Sequence, residues 1–400
     1  MRASSYPFKI AVLFVGGMHQ ALHIAPVAVE LARADRAEVS AFVMTHDDAR
    51  QLETMLRALG APSISIIPML LPWLLEWLMQ FRSFRPMSKV VRLFYWNRAI
   101  RRHGAILAAE RTSTILRQMP GKTPPMIHIP HGTGDRAKGF EPRIALFDHV
   151  IVAGEKDRRR MIADNLVTPD CCTVSGAIKI AAVRQLRGAD ARRLFANDRP
   201  VILYNPHFRD SLASWQDFAA PLIDAIVEDG RYNLIVAPHI RRFEQASDEL
   251  RAEWRSRGVD DRVLIDLDSH RLNDMTYVDA ADIYLGDVSS QIYEFLTIPR
   301  PAIFIDAHAA QWQDNPDYAM WRFGPVCQSV DEIMREIDTA SQRHRDYVGV
   351  QRAAITDALG RNGARAPAIA AQQVFEVFAR NVATRDAPVR IAADEIIQTS

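Results

Sequence analysis

Residues 278–304 read VDAADIYLGDVSSQIYEFLTIPRPAIF. Ile283, Tyr284 and Leu285 form a short apolar run between polar residues, the pattern of a strand covered on both faces in a parallel sheet. Gly286 and Asp287 punctuate it. Ser289 and Ser290 then open a helix carrying Ile292, Tyr293, Phe295 and Leu296, and a second buried strand follows at residues 302–305. Serine suits a helix start because its oxygen accepts from N–H groups that have no partner within the helix. Those N–H groups and the helix dipole also favour an anion. Glu294 falls four residues after Ser290, one turn on and on the same side. Together the strand, the serine pair and the acid suit a phosphate and a sugar hydroxyl. Plain capping explains the serines equally well.

The same strand-to-polar-edge pattern recurs upstream. VILY at 201–204 runs into NPHFRD, which sets His207 and Arg209 just past the strand. NLIVA at 233–237 runs into Pro238, His239 and Arg241, and the strand at 263–266 runs into Asp266 and Asp268. In open α/β sheets ligands bind outside the carboxyl ends of strands. Histidine, arginine and serine donors converging from several such ends, with Asp287 beside them, suit a diphosphate. Asp266-Leu267-Asp268 has the acid-x-acid form that holds a metal in some sugar-nucleotide enzymes. With protein cations along the same edge, no metal or other cofactor is expected to be needed.

The first half alternates in the same way. Strands are expected at 8–15, 38–44 and 63–67, with helices at 19–34 and 47–59, so a parallel sheet carries helices on both faces. Gly16-Gly17 lacks the further glycine and the acid of a full dinucleotide fingerprint. Residues 94–110 and 111–119 read as helices. MIHIPHGTGDRAKGF at 126–140 is a short strand stopped by Pro130, which leaves His131 at its carboxyl edge beside Gly132, Thr133 and Gly134, with Lys138 as a nearby cation. A histidine there titrates near neutrality and is the candidate general base; His128, inside the strand, reads as structural. Further strands are expected at 147–152 and 172–175, with a helix at 155–165. An arginine-rich helical bridge spans 180–198, and late helices fall at 243–257, 330–343 and 367–379.

Length and composition bound the rest. Four hundred residues, 48% hydrophobic and 24% charged, suit two globular domains. A net charge of +1 gives no electrostatic footprint for nucleic acid. Three cysteines, two of them adjacent, form neither a disulfide framework nor a zinc spacing, which points to a reducing cytoplasm. The first apolar run reads as a strand rather than a signal peptide, and no run reaches the roughly 20 apolar residues of a membrane span. MLLPWLLEWLMQF, from Met69 to Phe81, is followed at once by Arg82, Arg85, Lys89 and Arg92. Bulky aromatics beside arginines suit a peripheral contact with the inner face of the cytoplasmic membrane; a core helix carrying Glu76 is the alternative.

Four motifs in order resemble those of the CDP-glycerol glycerophosphotransferases of the teichoic-acid polymerase type. They are IPHGTGDRAKG, VILYNPHFRD, VAPHIR and AADIYLGDVSSQIYEF, spread over roughly residues 125–325. The resemblance implies a GT-B fold, an α/β architecture of two facing Rossmann-like domains with parallel sheets and an interdomain cleft. The expected division is 1–185 as the acceptor-side domain, 186–362 as the nucleotide-donor domain, and 363–400 as a helix and tail crossing back. The resemblance also implies transfer of a glycerophosphate-type unit from a CDP-activated donor to a hydroxyl of an envelope glycolipid or polysaccharide. In that reading His131 is the base, His239 and Arg241 meet the diphosphate, and Ser289, Ser290 and Glu294 hold the nucleotide. Alternatives on the same fold are a sugar-nucleotide glycosyltransferase and a UDP-sugar 2-epimerase. A catalytically inactive nucleotide-sugar-binding component of an envelope assembly complex is the alternative outside enzymes.

Overall fold

A computed structural model describes residues 8–386 apart from residues 35, 82–86, 133, 136–138 and 188–192. Seven strands make one parallel sheet: β1 (Phe8–Phe14), β2 (Ala37–Val43), β3 (Ser65–Pro68), β4 (Ala105–Ala108), β5 (Met126–His128), β6 (His149–Val152) and β7 (Cys172–Val174). Their spatial order is β3-β2-β1-β4-β5-β6-β7. Six more make a second parallel sheet: β8 (Val201–Asn205), β9 (Asn233–Val236), β10 (Val263–Ile265), β11 (Ile283–Gly286), β12 (Ala302–Ile305) and β13 (Val326–Cys327), ordered β10-β9-β8-β11-β12-β13. Most of these strands are buried on both faces, which is why they read as unbroken apolar runs instead of alternating ones.

Helices of the first half are α1 (Ala21–Arg33), α2 (His46–Ala58), α3 (Trp73–Gln80), α4 (Ser88–Ile100), α5 (Glu155–Ala163) and α6 (Ile178–Arg187). Those of the second are α7 (Trp215–Asp229), α8 (Asp248–Arg255), α9 (Thr276–Ala280), α10 (Gln291–Phe295), α11 (Val330–Leu359) and α12 (Ala366–Asp386). Local chemistry sets several boundaries. Thr45 caps α2 by accepting from Asp48 N–H, and Ser329 caps α11 by accepting from Glu332 N–H. Gly230, at φ 79°, closes α7 in the left-handed conformation that glycine adopts without strain.

The last two helices tie the halves together. α11 packs beneath the second sheet and runs on to meet α5, where Arg159 donates to Asp357 at 2.9 Å. A Cβ on Gly154, at the start of α5, would lie 2.1 Å from the Asp357 carbonyl oxygen, so only glycine permits this approach. α12 lies on α1 and α6, with the rings of Phe375 and Phe378 centred 5.6 and 4.5 Å from that of Phe8.

Several element boundaries differ from expectation. Residues 94–110 are not one helix: α4 ends at Ile100, and Ala105–Ala108 is a strand at the centre of the first sheet. A four-residue apolar run cannot be told from a buried helical turn by periodicity alone. Arg111–Gln118 is a 3-10 helix, α8 is shorter than 243–257, and α11 is far longer than 330–343. The bridge is helical only as far as Arg187 among the described residues.

Candidate active site

In both sheets the strand order reverses beside the first strand of the series, since β1 lies between β2 and β4, and β8 between β9 and β11. Loops leaving the carboxyl ends of strands at such reversals form ligand crevices. Here the loops after β1, β4, β5, β8, β9 and β11 line one cleft of about 850 Å³. His131, Gly132, His207, Arg209, His239, Arg241, Ser289 and Ser290 all border it.

His131 stands past Pro130 at the end of β5. Its Nδ1 lies 3.3 Å from the Ala109 carbonyl oxygen, which can only accept, so the proton of the neutral ring sits on Nδ1. Nε2 then carries the lone pair, and it lies 3.4 Å from the Gln20 side-chain nitrogen. The ring is open to the cleft on one side and walled by protein on the others. That burial, partly offset by the Ala109 carbonyl and the Glu110 carboxylate, lowers its pKa below the ordinary imidazole value. Burial would raise the Glu110 carboxyl, but the Lys89 ammonium and the Thr112 N–H outweigh it and hold the group at about 2. The result is a neutral imidazole whose basic nitrogen faces the Gln20 amide, next to a negative charge that stabilises its protonated form.

His207 and His239 are set the other way round. Nδ1 of His207 accepts from Arg209 N–H at 3.0 Å, and Nδ1 of His239 accepts from Arg241 N–H at 3.2 Å. Each neutral ring therefore carries its proton on Nε2 and is a donor there. Their ring centroids are 6.2 Å apart, with Phe208 packed against both. The guanidinium of Arg241 lies 4.5 Å from the Phe208 ring centroid and that of Arg209 lies 5.5 Å from it. The wall built on β8 and β9 thus combines two N–H donors with two cations.

Ser289 and Ser290 face this wall from the start of α10. Ser289 Oγ accepts from Gln291 N–H at 3.3 Å, so it is a cap as well as a cleft residue. Gly132 has φ 81°, and a Cβ there would sit 3.3 Å from Ser290 Oγ. The glycine lets the loop that bears His131 approach the serine pair closely.

Two expected ligand groups are not brought to the cleft. Asp287 is wholly buried behind the wall, where one carboxylate oxygen accepts from the N–H groups of His207 at 2.9 Å and Ser214 at 3.0 Å. Burial, against those hydrogen bonds, pushes its pKa up to about 6. Glu294 points to the opposite side of α10 and meets Lys179 at 2.6 Å, beside a separate cavity of about 40 Å³. Thr133 and Lys138 lie outside the described residues. Asp266 accepts from Ser269 N–H and Tyr277 O–H, whereas Asp268 pairs with Arg255 at the cleft margin. Among the described residues no three His, Cys, Asp or Glu side chains gather as metal ligands.

Sequence reading missed Gln20, Lys89, Glu110 and Asp135, all of which border the cleft. Glu110 was within reach. Once Ala105–Ala108 is a strand, Ala109 and Glu110 fall at a carboxyl edge next to the reversal point. Gln20 carried no signal, because a glutamine before an amphipathic helix is ordinary.

A model of the CDP-glycerol:poly(glycerophosphate) glycerophosphotransferase family matches residues 181–359. No curated protein shows significant sequence similarity to the chain. Among solved structures, a protein from Listeria monocytogenes assigned as a UDP-N-acetylglucosamine 2-epimerase superposes with a TM-score of 0.64 at 12% identity, over 95% of this chain and 98% of that one. The UDP-GlcNAc 2-epimerase from Neisseria meningitidis, bound to UDP-GlcNAc, gives 0.58 at 13% identity over 93% and 100%. The wall teichoic acid polymerase TagF gives 0.60 at 12% identity over 95% and 90%. At such identities the superpositions establish a common fold. The chain therefore has a two-sheet GT-B-type fold, and its residues 181–359 resemble the glycerophosphotransferase family.

Proposed function

We propose that this protein transfers a glycerophosphate, or a similar alditol-phosphate, from a CDP-activated donor to a hydroxyl of a cell-envelope glycolipid or polysaccharide. The observation that carries this reading is the opposed setting of the cleft histidines: His131 presents a basic Nε2, and His207 and His239 present Nε2–H donors. The family match over residues 181–359 supports the donor class.

In this reading the acceptor O–H gives its proton to His131 Nε2 as its oxygen bonds to the phosphorus that bears the glycerol. The bond from that phosphorus to the bridging oxygen breaks, and its electron pair leaves with CMP. His239, His207, Arg209 and Arg241 offset the charge that grows on the leaving phosphate. Ser289 and Ser290 hold the nucleotide phosphate. Residues 1–185 form the acceptor side, residues 186–362 the donor side, and residues 363–400 the returning helix and tail. No metal or other cofactor takes part.

The reading also places the protein in the cytoplasm, against the inner face of the membrane. Among the described residues no helix is long and apolar enough to cross a bilayer. α3 nevertheless leaves Trp73 80% and Trp77 52% exposed, and Leu74 on α3, Phe81 just beyond it, and Phe94 and Tyr95 on α4 are exposed as well. An exposed aromatic surface of this kind suits a lipid interface.

A donor panel tests the reaction. With CDP-glycerol and a lipid-linked or polysaccharide acceptor, CMP should be released with stoichiometric gain of phosphate on the acceptor. Conversion of UDP-GlcNAc to its 2-epimer without any acceptor would replace the transferase with an epimerase, the activity named for two proteins that share the fold. Nucleotide binding without turnover of any donor would make the protein a binding component.

A further inference from the structure

Asp135 lies four residues after His131 on the same loop and is 4% exposed. Both of its carboxylate oxygens accept from the Tyr293 hydroxyl, at 2.7 and 2.8 Å, and one also accepts from Lys156 Nζ at 2.6 Å. The Lys156 ammonium lies 4.3 Å from the centre of the Tyr293 ring. Arg160, one turn beyond Lys156 on α5, donates to the Asp135 carbonyl and, at 3.0 Å, to Asp317 of the second half. Tyr293 is three residues after Ser290, on the α10 turn that the serine pair opens. On its far side α10 is held to α6 by the Glu294–Lys179 pair at 2.6 Å.

These bonds join the loop that carries His131 to the turn that carries Ser289 and Ser290. A carboxylate buried among donors gains little stability over apolar packing of the same volume. It does fix direction, because charge-assisted hydrogen bonds hold their partners in one geometry. The two tethered segments meet at Gly132 and Gly134, where an added Cβ would lie 3.3 Å from Ser290 in each case. We propose that Asp135, Tyr293 and Lys156 form a clasp across the cleft that sets the His131 base against the phosphate-holding serines, with Tyr293 as its positioning residue. The inference rests on the transferase reading for its kinetic consequence and on contacts alone for its structural one.

Tyr293→Phe removes the hydroxyl and keeps the ring. It should lower kcat by about tenfold or more, the scale for a misplaced reacting group, while calorimetric affinity for CDP stays within about twofold. Asp135→Asn should behave likewise. Equal losses in CDP affinity and kcat would make Tyr293 part of the nucleotide site and overturn the proposal, as would unchanged kcat. If Tyr293→Phe does not fold, Lys156→Gln, at the rim of the same cluster, is held to the same criteria. Hydrogen exchange on the intact, ligand-free protein is independent of the reaction. Tyr293→Phe should lose protection in the peptides containing His131 and Ser290 together. Unchanged protection there sinks the clasp whether or not the protein is a transferase, and lost protection with no transfer from any donor keeps the clasp and discards the reaction.

Discussion

His131, His207 and His239 occupy three strand ends, and the backbone decides what each is able to do. A carbonyl opposite Nδ1 makes His131 an acceptor at Nε2, while N–H groups opposite Nδ1 make the other two donors. The positions were legible in the sequence, since each follows a short apolar run. The tautomers were not, because they depend on which backbone atom lies across the loop. The same limit explains Asp287 and Glu294. Each sits where a ligand group is expected, but Asp287 turns back to hold the His207 and Ser214 N–H groups and Glu294 turns to Lys179. Sequence position gives a residue's place along a strand or helix without giving its facing partner. At this scale His131→Ala should lower kcat by about 100-fold or more, as for loss of a general base, with CDP affinity nearly intact. Comparable falls in affinity and rate, measured by calorimetry and initial rates, would reassign His131 to donor binding.

The elements that sequence reading recovered best are those with long, uniform patterns: β1, α1, β2 and α2. β4 was missed because four buried apolar residues carry no period of their own, and Glu110 was lost from the site with it. The pair α3 and α4 posed the opposite difficulty, because an apolar helix reads as core or as interface. Its polar contacts show which side chains turn inward. Arg92 donates to both Glu76 oxygens, at 2.7 and 2.6 Å, and Trp96 Nε1 donates to the Leu70 carbonyl at 2.8 Å. Arg92 and Lys89 therefore turn inward, Lys89 toward Glu110, so neither is the lipid-facing cation that the sequence suggested. The Arg92–Glu76 ion pair holds α4 to α3, while Trp73 and Trp77 remain exposed. Trp73→Glu with Trp77→Glu should then weaken co-sedimentation with anionic vesicles at least about tenfold, given the roughly 1.5–3 kcal/mol gained on burying one large apolar side chain. The melting temperature should hardly change. A double variant that unfolds would show that the helix supports the core and would end the membrane reading.

At the scale of the whole molecule, alternation of strand and helix was enough to expect two parallel sheets, because parallel strands need long crossovers and the patterns supply them. The side-chain pairs between the halves were not legible, since long-range contacts such as Asp135–Tyr293 and Lys179–Glu294 leave no periodic trace. Burial of titratable groups inside both halves sets the response to acid. His128 is fully enclosed, donates through Nδ1 to the Ala108 carbonyl at 3.0 Å and stacks on Phe147. Burial above all pushes its pKa down to about 3, and burial likewise pushes His149 to about 4. In the unfolded chain both take up a proton near 6.5. The unfolded state thus binds more protons below that value, so their contribution is complete above about pH 6.5 and is lost as pH falls toward the folded pKa values, by about 1.4 kcal/mol per pH unit for each proton. Asp157 and Asp287 act in the opposite sense. Burial raises each to about 6, so the folded state takes up a proton before the unfolded chain does and gains stability as pH falls through that value toward the ordinary carboxylate range. Chemical denaturation between about pH 7 and 5 should show a shallower loss for His128→Asn than for the parent, because one differential proton has been removed, whatever the new baseline stability. Asp287→Asn should show a steeper loss, because one compensating proton has gone. Parallel curves for the parent and His128→Asn would mean that His128 takes up its proton equally in the folded and unfolded states, and would overturn this account of its burial.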